Sequence, residues 1–424
     1  MRRVLFTLAL GCLAAFAQPP GKVITLEEAV REALANNLDL AAEKFNISTA
    51  EARQITASLR PNPVLTVSGN HLDLLGTGYT AANSAGPNEV FAHTDFLLER
   101  GRKREARMEV ALAQKSFAEL AFRDSMRRLI LDVDNAFVDL QASKEVLKLA
   151  QDNYRTISSL AAINANRVAS GDLAAVELKR SQVAALQIQT TVRQAELAVR
   201  QARSRLQLVL GRTSPMDDFD AAGDLRSDAA PGNQLAIAER ARLQRPDLLA
   251  AKQAIERGRA GVRLEQAQGK MDYTVGTEYV HQQAAGGKGN SLGFTFSTPL
   301  PFFNRNQGEI LRAQREVEQA SLVTRSLEMK ITAEVADAWQ RYSVAKSLLE
   351  DIERNMLPRA REVRDTTEYS YRRGEASLIE FLDAQRAFNE AVQSYNDARV
   401  NYARSLFLLD AAAADTGAGA VQTK

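Results

Sequence analysis

The sequence predicts a mainly α-helical protein with a small β part: a duplicated unit of long coiled-coil helices plus four strands of membrane-spanning length. Three observations predict it. An internal repeat runs with a period near 205 residues, apolar positions fall three and four apart over long stretches, and four short segments alternate with period two.

The repeat sets the organisation. Asn37-Leu38-Asp39-Leu40-Ala41-Ala42 answers Arg245-Pro246-Asp247-Leu248-Leu249-Ala250 at a shift of 208, both in helical, alanine-rich segments. Further on, Ala136-Phe137 answers Ala338-Trp339, Lys144 answers Lys346, Leu147 answers Leu349 and Asn153 answers Asn355 at a shift of 202. Near the end of each repeat the shift becomes 203, where Gly171-Asp172 meets Gly374-Glu375 and Gln182 meets Gln385. The 424 residues therefore divide into a first repeat (18–211), a connector (212–233) rich in Asp, Gly and Pro, a second repeat (234–414) and a small, polar tail (415–424) that is expected to be disordered.

Each repeat carries two long helices with a heptad-like seam, the sign of side-by-side helix packing. The first seam runs Met126, Leu129, Val133, Ala136, Leu140, Ser143, Leu147, Ala150, Tyr154, Ile157, Ala161, and its counterpart Ile331, Val335, Ala338, Tyr342, Ala345, Leu349, Ile352, Met356. The next seam position of the second, Arg359, is polar and follows Pro358, which marks a kink or loosened turn. The shorter helices repeat the pattern, from Leu178 to Leu206 and from Phe381 to Leu409, with large and small residues alternating as close antiparallel packing requires. No proline interrupts Gly101 to Ser170, so that helix can reach roughly 100 Å.

The four alternating segments fall near 64–73, 90–98, 272–281 and 291–299. Leu65 and Val67 alternate with Thr66 and Ser68; Val90, Ala92, Phe96 and Leu98 with Phe91, His93 and Asp95. Tyr273, Val275 and Tyr279 are set against Thr274, Gly276 and Glu278; Leu292, Phe294 and Phe296 against Gly293, Thr295 and Ser297. Loops rich in Gly, Ala and Asn, Gly76 to Asn88 and Ala284 to Asn290, turn them into two hairpins. Each segment is about as long as a membrane strand, and four strands are too few to close a barrel, so several copies must share one.

Residues 1–17 read as a signal peptide: Arg2 and Arg3, an apolar run from Val4 to Phe16, then Ala15-Phe16-Ala17. Leu10-Gly11-Cys12 offers a weaker lipoprotein alternative. Cleavage after Ala17 removes Cys12, the only cysteine, and with it disulfides, thiolate metal sites and cysteine nucleophiles. With 54 Lys and Arg against 52 Asp and Glu, nothing points to nucleic acid. Beyond the signal no apolar run is long enough for a spanning helix, so any crossing must use strands in a closed barrel.

Four motifs carry a family resemblance: Leu59 to Leu65 (LRPNPVL), Glu99 to Arg107 (ERGRKREAR), Pro299 to Ile310 (PLPFFNRNQGEI) and Tyr371 to Gln385 (YRRGEASLIEFLDAQ). With the duplicated, strand-flanked helices they make the chain resemble the TolC-like outer-membrane efflux proteins, nearest to the heavy-metal and cation branch. The resemblance covers essentially the whole chain after the signal. It implies a homotrimer in the cell outer membrane, with twelve strands in one barrel and twelve helices in a long periplasmic tunnel. It implies two partners, a periplasmic adaptor and an inner-membrane transporter, and the role of exit duct in a tripartite efflux pump. The same duct could serve secretion of proteins or peptides. A soluble, exported coiled-coil scaffold is the reading that the heptads alone would permit.

The resemblance also assigns residues. Gly171, Asp172 and Leu173, with Gly374, Glu375 and Ala376, form the turns at the tunnel tip that touch the adaptor; glycine suits such turns on its own account. Tyr371 matches a tyrosine that helps tie the closed tip, while Ala376 stands where some relatives carry a basic partner. Glu380 and Asp383, three apart on one helix face, match two acidic residues that line the pore aperture. Crowding there would favour cations and raise some carboxylate pKa values; a helix-start role is the simpler reading. Glu177 and Arg180 hold the corresponding places in the first repeat. His71, His93 and His281 all lie in or beside strands and read as ordinary barrel residues. No phosphate loop, catalytic triad or ligand cluster is present, so neither enzyme activity nor a cofactor is expected.

Overall fold

The computed structural model describes residues 22–72, 74, 76, 88–212, 219–230, 232–284 and 287–414. The signal (1–17), Cys12, the tail (415–424) and most of the first hairpin loop lie outside them.

The chain forms two compact units. One gathers the described residues of 22–37, 129–229 and 341–408, the other those of 38–128, 230–340 and 409–414. The elements run β1 (Lys22–Ile24), α1 (Leu26–Asn36), α2 (Leu38–Ser58), β2 (Val64–Asn70), β3 (Asn88–Leu98), α3 (Lys103–Ala169), α4 (Ala175–Val209), β4 (Phe219–Ala221), α5 (Gln234–Gln244), α6 (Pro246–Gln268), β5 (Tyr273–Ala284), β6 (Gly287–Ser297), α7 (Gln307–Asp351), a π-helical turn (Ile352–Met356), α8 (Leu357–Arg373) and α9 (Leu378–Ala413). No described helix is long and apolar enough to cross a membrane.

The repeat is visible in backbone angles. α1 stops at Asn37 (φ −65°, ψ 121°) and α5 at Arg245 (φ −63°, ψ 121°), so the two sequences matched at a shift of 208 make the same helix break. Thr25 caps α1 in a box with Glu28, and Asn233 caps α5 through its side chain.

In the second unit, an antiparallel sheet has the order β2-β3-β5-β6. The pairing of β3 with β5 joins the two hairpins, aligning Asp95 with Gly276 and Phe96 with Val275. Directly paired residues share a face, so Leu65, Val67, Val90, Phe96, Val275, Tyr279, Leu292, Phe294 and Phe296 lie together. That face is bare in the protomer: Phe294 is 77% exposed. The other face carries Thr66, Ser68, Glu89, His93, Asp95, Glu278 and Thr295, with Phe91, Leu97 and Val280 among them. β5 and β6 reach further than expected, to Ala284 and from Gly287. The ladder continues through the Gly- and Asn-rich stretch: β5 pairs with β3 as far as Gln283–Asn88 and with β6 as far as Ala284–Gly287.

The first unit is built on the seams. Val133, Leu140 and Ile157 of α3, Ser181 and Leu206 of α4, and Phe381, Ala398 and Tyr402 of α9 are buried, as the heptads require. β1 pairs in parallel with β4, and Ile24, Phe219 and Ala221 join Val133, Phe137 and Leu206 in one core cluster. β4 lies within the stretch expected to be a plain connector; three residues are too few to show alternation. Lys144 of α3 holds it from outside, 2.8 Å from Asp220 Oδ2.

The second repeat differs from the first at the π turn. Ile331, Val335, Ala338, Tyr342, Ala345 and Ile352 are buried, and the seam opens at Met356. There the Leu357 N–H donates to Ile352 O, one residue further back than an α-helical bond. A π turn is what one inserted residue makes of a helix. The step from a shift of 202 at Asn355 to 203 at Gly374 is that residue.

Candidate adaptor tip and aperture

Two turns end the long helices of the first unit. In the first, Asp172 N–H donates to Arg167 O (2.8 Å) and Gly171 N–H to Val168 O (3.1 Å); in the second, Glu375 N–H donates to Ser370 O (2.9 Å) and Gly374 N–H to Tyr371 O (3.0 Å). These are paired Schellman closures. Both glycines take left-handed angles, φ 84° at Gly171 and 80° at Gly374. A side chain would meet nothing within 4 Å at Gly171 and only Arg167 Nη2, at 3.9 Å, at Gly374. The demand for glycine is therefore a backbone demand, and the surrounding space is open. Asp172 and Glu375 are exposed, while Leu173 and Ala376 are half-buried.

One cluster packs the two helix pairs, α3 with α4 and α8 with α9, together. Ile157 and Leu160 of α3, Tyr371 of α8, and Leu378 and Phe381 of α9 are buried, with Ala185, Ile188 and Ala376 against them. Tyr371 stacks on Phe381 with ring centroids 5.7 Å apart and donates its hydroxyl to Asn164 Oδ1 at 2.8 Å. Tyr371 thus ties α8 to α3 within one chain and is buried, unlike a residue facing an open pore. Its partner Asn164 is fully buried, and its Nδ2 has no hydrogen-bond partner. The α3 seam expected from the sequence ends at Ala161, three residues short of Asn164. A polar residue at a seam position was the available signal.

Glu380 and Asp383 share an exposed face at the start of α9, but Glu380 is already engaged. Ser377 N–H donates to Glu380 Oε2 at 2.6 Å, the Ser377 hydroxyl lies 2.9 Å from the same oxygen, and Glu380 N–H donates to Ser377 Oγ at 3.3 Å. This is a capping box. Its backbone bond first, and its hydroxyl bond second, hold the Glu380 carboxyl below the usual glutamate range. Within one chain the local effect therefore opposes the rise expected from crowded carboxylates. The Ser-x-x-Glu spacing was readable in the sequence and Ser377 was missed. In the first repeat Ala174 caps α4 without a side-chain bond, and Glu177 is paired with Arg180 at 2.8 Å. The acidic pair of the second repeat has no such internal neutralisation between its own members.

Of the histidines, His93 Nε2 lies 2.8 Å from Asp95 and its Nδ1 3.8 Å from Glu278, His281 meets Asn290 at 2.8 Å, and His71 is 4.0 Å from Glu89. Among the described residues no group of His, Cys, Asp and Glu is arranged to hold a metal ion.

The outer membrane efflux protein family matches residues 29–212 and 237–414. The chain is 24% identical, over 87% of its length and 84% of the relative's, to the cobalt-zinc-cadmium resistance protein CzcC of Cupriavidus metallidurans. Among solved structures, a Pseudomonas aeruginosa membrane protein has a TM-score of 0.75 at 20% identity, covering 93% of this chain and 91% of that one. CusC, described in terms of folding and transmembrane channel formation, has 0.75 at 18%, covering 94% and 95%. Each matched block holds a strand hairpin with an apolar face and a glycine-closed helix turn. The chain belongs to the outer membrane efflux protein family, TolC-like in fold, and is an outer-membrane efflux channel.

Proposed function

We propose that three copies of this chain form the exit duct of a tripartite pump that carries divalent metal cations out of the periplasm. The observation that carries the assembly is the sheet: four strands, one apolar face, and β2 and β6 at its edges. Edges in lipid leave backbone groups without partners, so β6 of one copy pairs with β2 of the next until twelve strands close. Gly171, Asp172, Leu173, Gly374, Glu375 and Ala376 form the surface for the adaptor, through which an inner-membrane transporter delivers cargo. Glu380 and Asp383 line the aperture, which Tyr371 supports from behind through Asn164.

The cargo reading rests on the likeness to CzcC, a cobalt-zinc-cadmium resistance protein, and on a paired acidic face at the aperture. Deleting the gene should sensitise its host to cobalt, zinc or cadmium, and the intact gene should restore resistance. Unchanged sensitivity to all three, with increased sensitivity to organic toxicants, would overturn the metal assignment and leave the duct.

A further inference from the structure

The face of the sheet opposite the apolar one is the inner wall of the proposed barrel. Glu89, Asp95 and Glu278 lie on it, and among its described residues there is no Lys or Arg. His93 stands among these carboxylates, directly opposite Glu278 in the β3–β5 register. Its strand position alone marks it as an ordinary barrel residue; its surroundings do not.

The ring is held from one side and left open on the other. His93 Nε2 lies 2.8 Å from Asp95 Oδ1. A carboxylate only accepts, so in the neutral ring the proton sits on Nε2 and Nδ1 keeps its lone pair. Nδ1 is buried and has no hydrogen-bond partner, which is uncommon for a buried polar atom. It faces Glu278 Oε2 at 3.8 Å, beyond hydrogen-bond reach. Gly276 makes the arrangement possible. A Cβ there would come within 2.8 Å of His93 Cε1 and 2.9 Å of Asp95 Oδ1, so the ring and its carboxylate lie across bare backbone. A lone pair and a carboxylate oxygen at this separation leave room for one cation bonded to each at about 2.1 Å. The order is then carboxylate, histidine, metal, with Asp95 behind the ring fixing its tautomer and Glu278 as the second ligand.

We propose that His93 Nδ1 and Glu278 form a transit subsite in the barrel wall for borderline divalent cations such as zinc, cobalt and cadmium, with water completing the coordination. The proposal rests on the metal-cargo reading above and places a contact for that cargo beyond the aperture. Two side chains do not make a resident site, in keeping with the lack of any larger ligand group among the described residues. Weak binding is what passage needs, since an ion must leave as readily as it enters. The imidazole sets the selectivity: it suits zinc-like ions, whereas magnesium and calcium take oxygen ligands.

The test is block of potassium current through the full-length protein in planar bilayers, with zinc or magnesium chloride added on the side of the hairpin loops. A Glu380→Gln, Asp383→Asn background removes the contribution of the aperture. Zinc should block at a lower concentration than magnesium. His93→Gln keeps a donor for Asp95 but offers no imidazole; it should raise the blocking concentration of zinc about tenfold or more and leave that of magnesium unchanged. Asp95→Asn should weaken zinc block in the same direction. Glu278→Gln is the second ligand variant and should weaken block by both ions. Zinc block no stronger than magnesium block, or unchanged in either ligand variant that keeps the wild-type size in detergent, would overturn the proposal. The cargo reading fails separately: a host whose metal sensitivity ignores the gene, while His93→Gln still loses zinc block, would leave the subsite and remove the cargo. Gene-dependent metal resistance with zinc block intact in His93→Gln would do the reverse.

Discussion

Arg245 and Asp247 hold the break between α5 and α6 from within. The guanidinium, 3% exposed along its side chain, meets Asp247 at 2.6 Å and Glu334 at 2.6 Å. Burial pushes the Asp247 carboxyl up, but the hydrogen bonds and charge of Arg245 outweigh it and hold the carboxyl below its usual range. A depressed carboxyl stabilises the fold above the unfolded-state pKa, near 3.9, and loses that contribution as pH falls through the folded value. Asp247→Asn leaves a buried cation short of a partner and should cost about 3 kcal/mol, read as a lowered thermal midpoint at neutral pH that converges with wild type in acid. At the aperture, Glu380→Gln with Asp383→Asn should reduce cation selectivity and multivalent-cation block in planar-bilayer recordings, and Glu177→Gln should do less. Glutamine at N3 can keep the capping box, so the fold is spared. Because the Glu380 carboxyl is depressed, its share of the selectivity should persist below the ordinary glutamate range. Unchanged selectivity in the double variant would place the pair on a solvated helix face. The residue chemistry was partly legible: Glu380 and Asp383 stood out as a pair, but Ser377, Asn164 and the Tyr371 contact depend on which helices face one another, which spacing on one helix does not specify.

Helices and strands were the most legible scale, because a seam spaced three and four apart and a face spaced by two each leave a direct periodic mark. β1 and β4 left none, being three residues each. The π turn was foreshadowed twice, by Pro358 and by the one-residue change of shift. Its physics makes a sharp expectation. Deleting Asn355 should turn the bulge into a regular turn and leave Tyr371 facing Asn164, so the protein stays folded with little change in heat stability. Deleting Lys148 from the uninterrupted α3 rotates everything beyond it by about 100° and should prevent assembly. Equal damage from both deletions would show that the bulge absorbs nothing. At the tip turns, Gly171→Ala should cost about 1 kcal/mol through backbone strain alone, since the space is open. Bulky charged residues at Gly171 or Gly374 should spare assembly, measured by detergent sizing, while abolishing adaptor crosslinking and resistance.

For the whole molecule, the sheet makes oligomerisation a requirement of the fold. The detergent-solubilised species should size as three chains, and a monomer with its strands intact would contradict the closed barrel. This much was readable in advance, since four strands cannot close alone, whereas the division into two compact units had no signature in a chain whose longest helices pass through both. The β3–β5 pairing carries a further consequence. It joins the trailing strand of one repeat to the leading strand of the next, and the proposed seam between copies, β6 to β2, is the same join made between molecules. Each chain therefore folds around an internal rehearsal of its own assembly interface, a pseudo-sixfold ring in which three of the six joints are covalently guaranteed. Only the other three depend on concentration, and substitutions that weaken a joint should be far better tolerated at β3–β5 than at the edge strands.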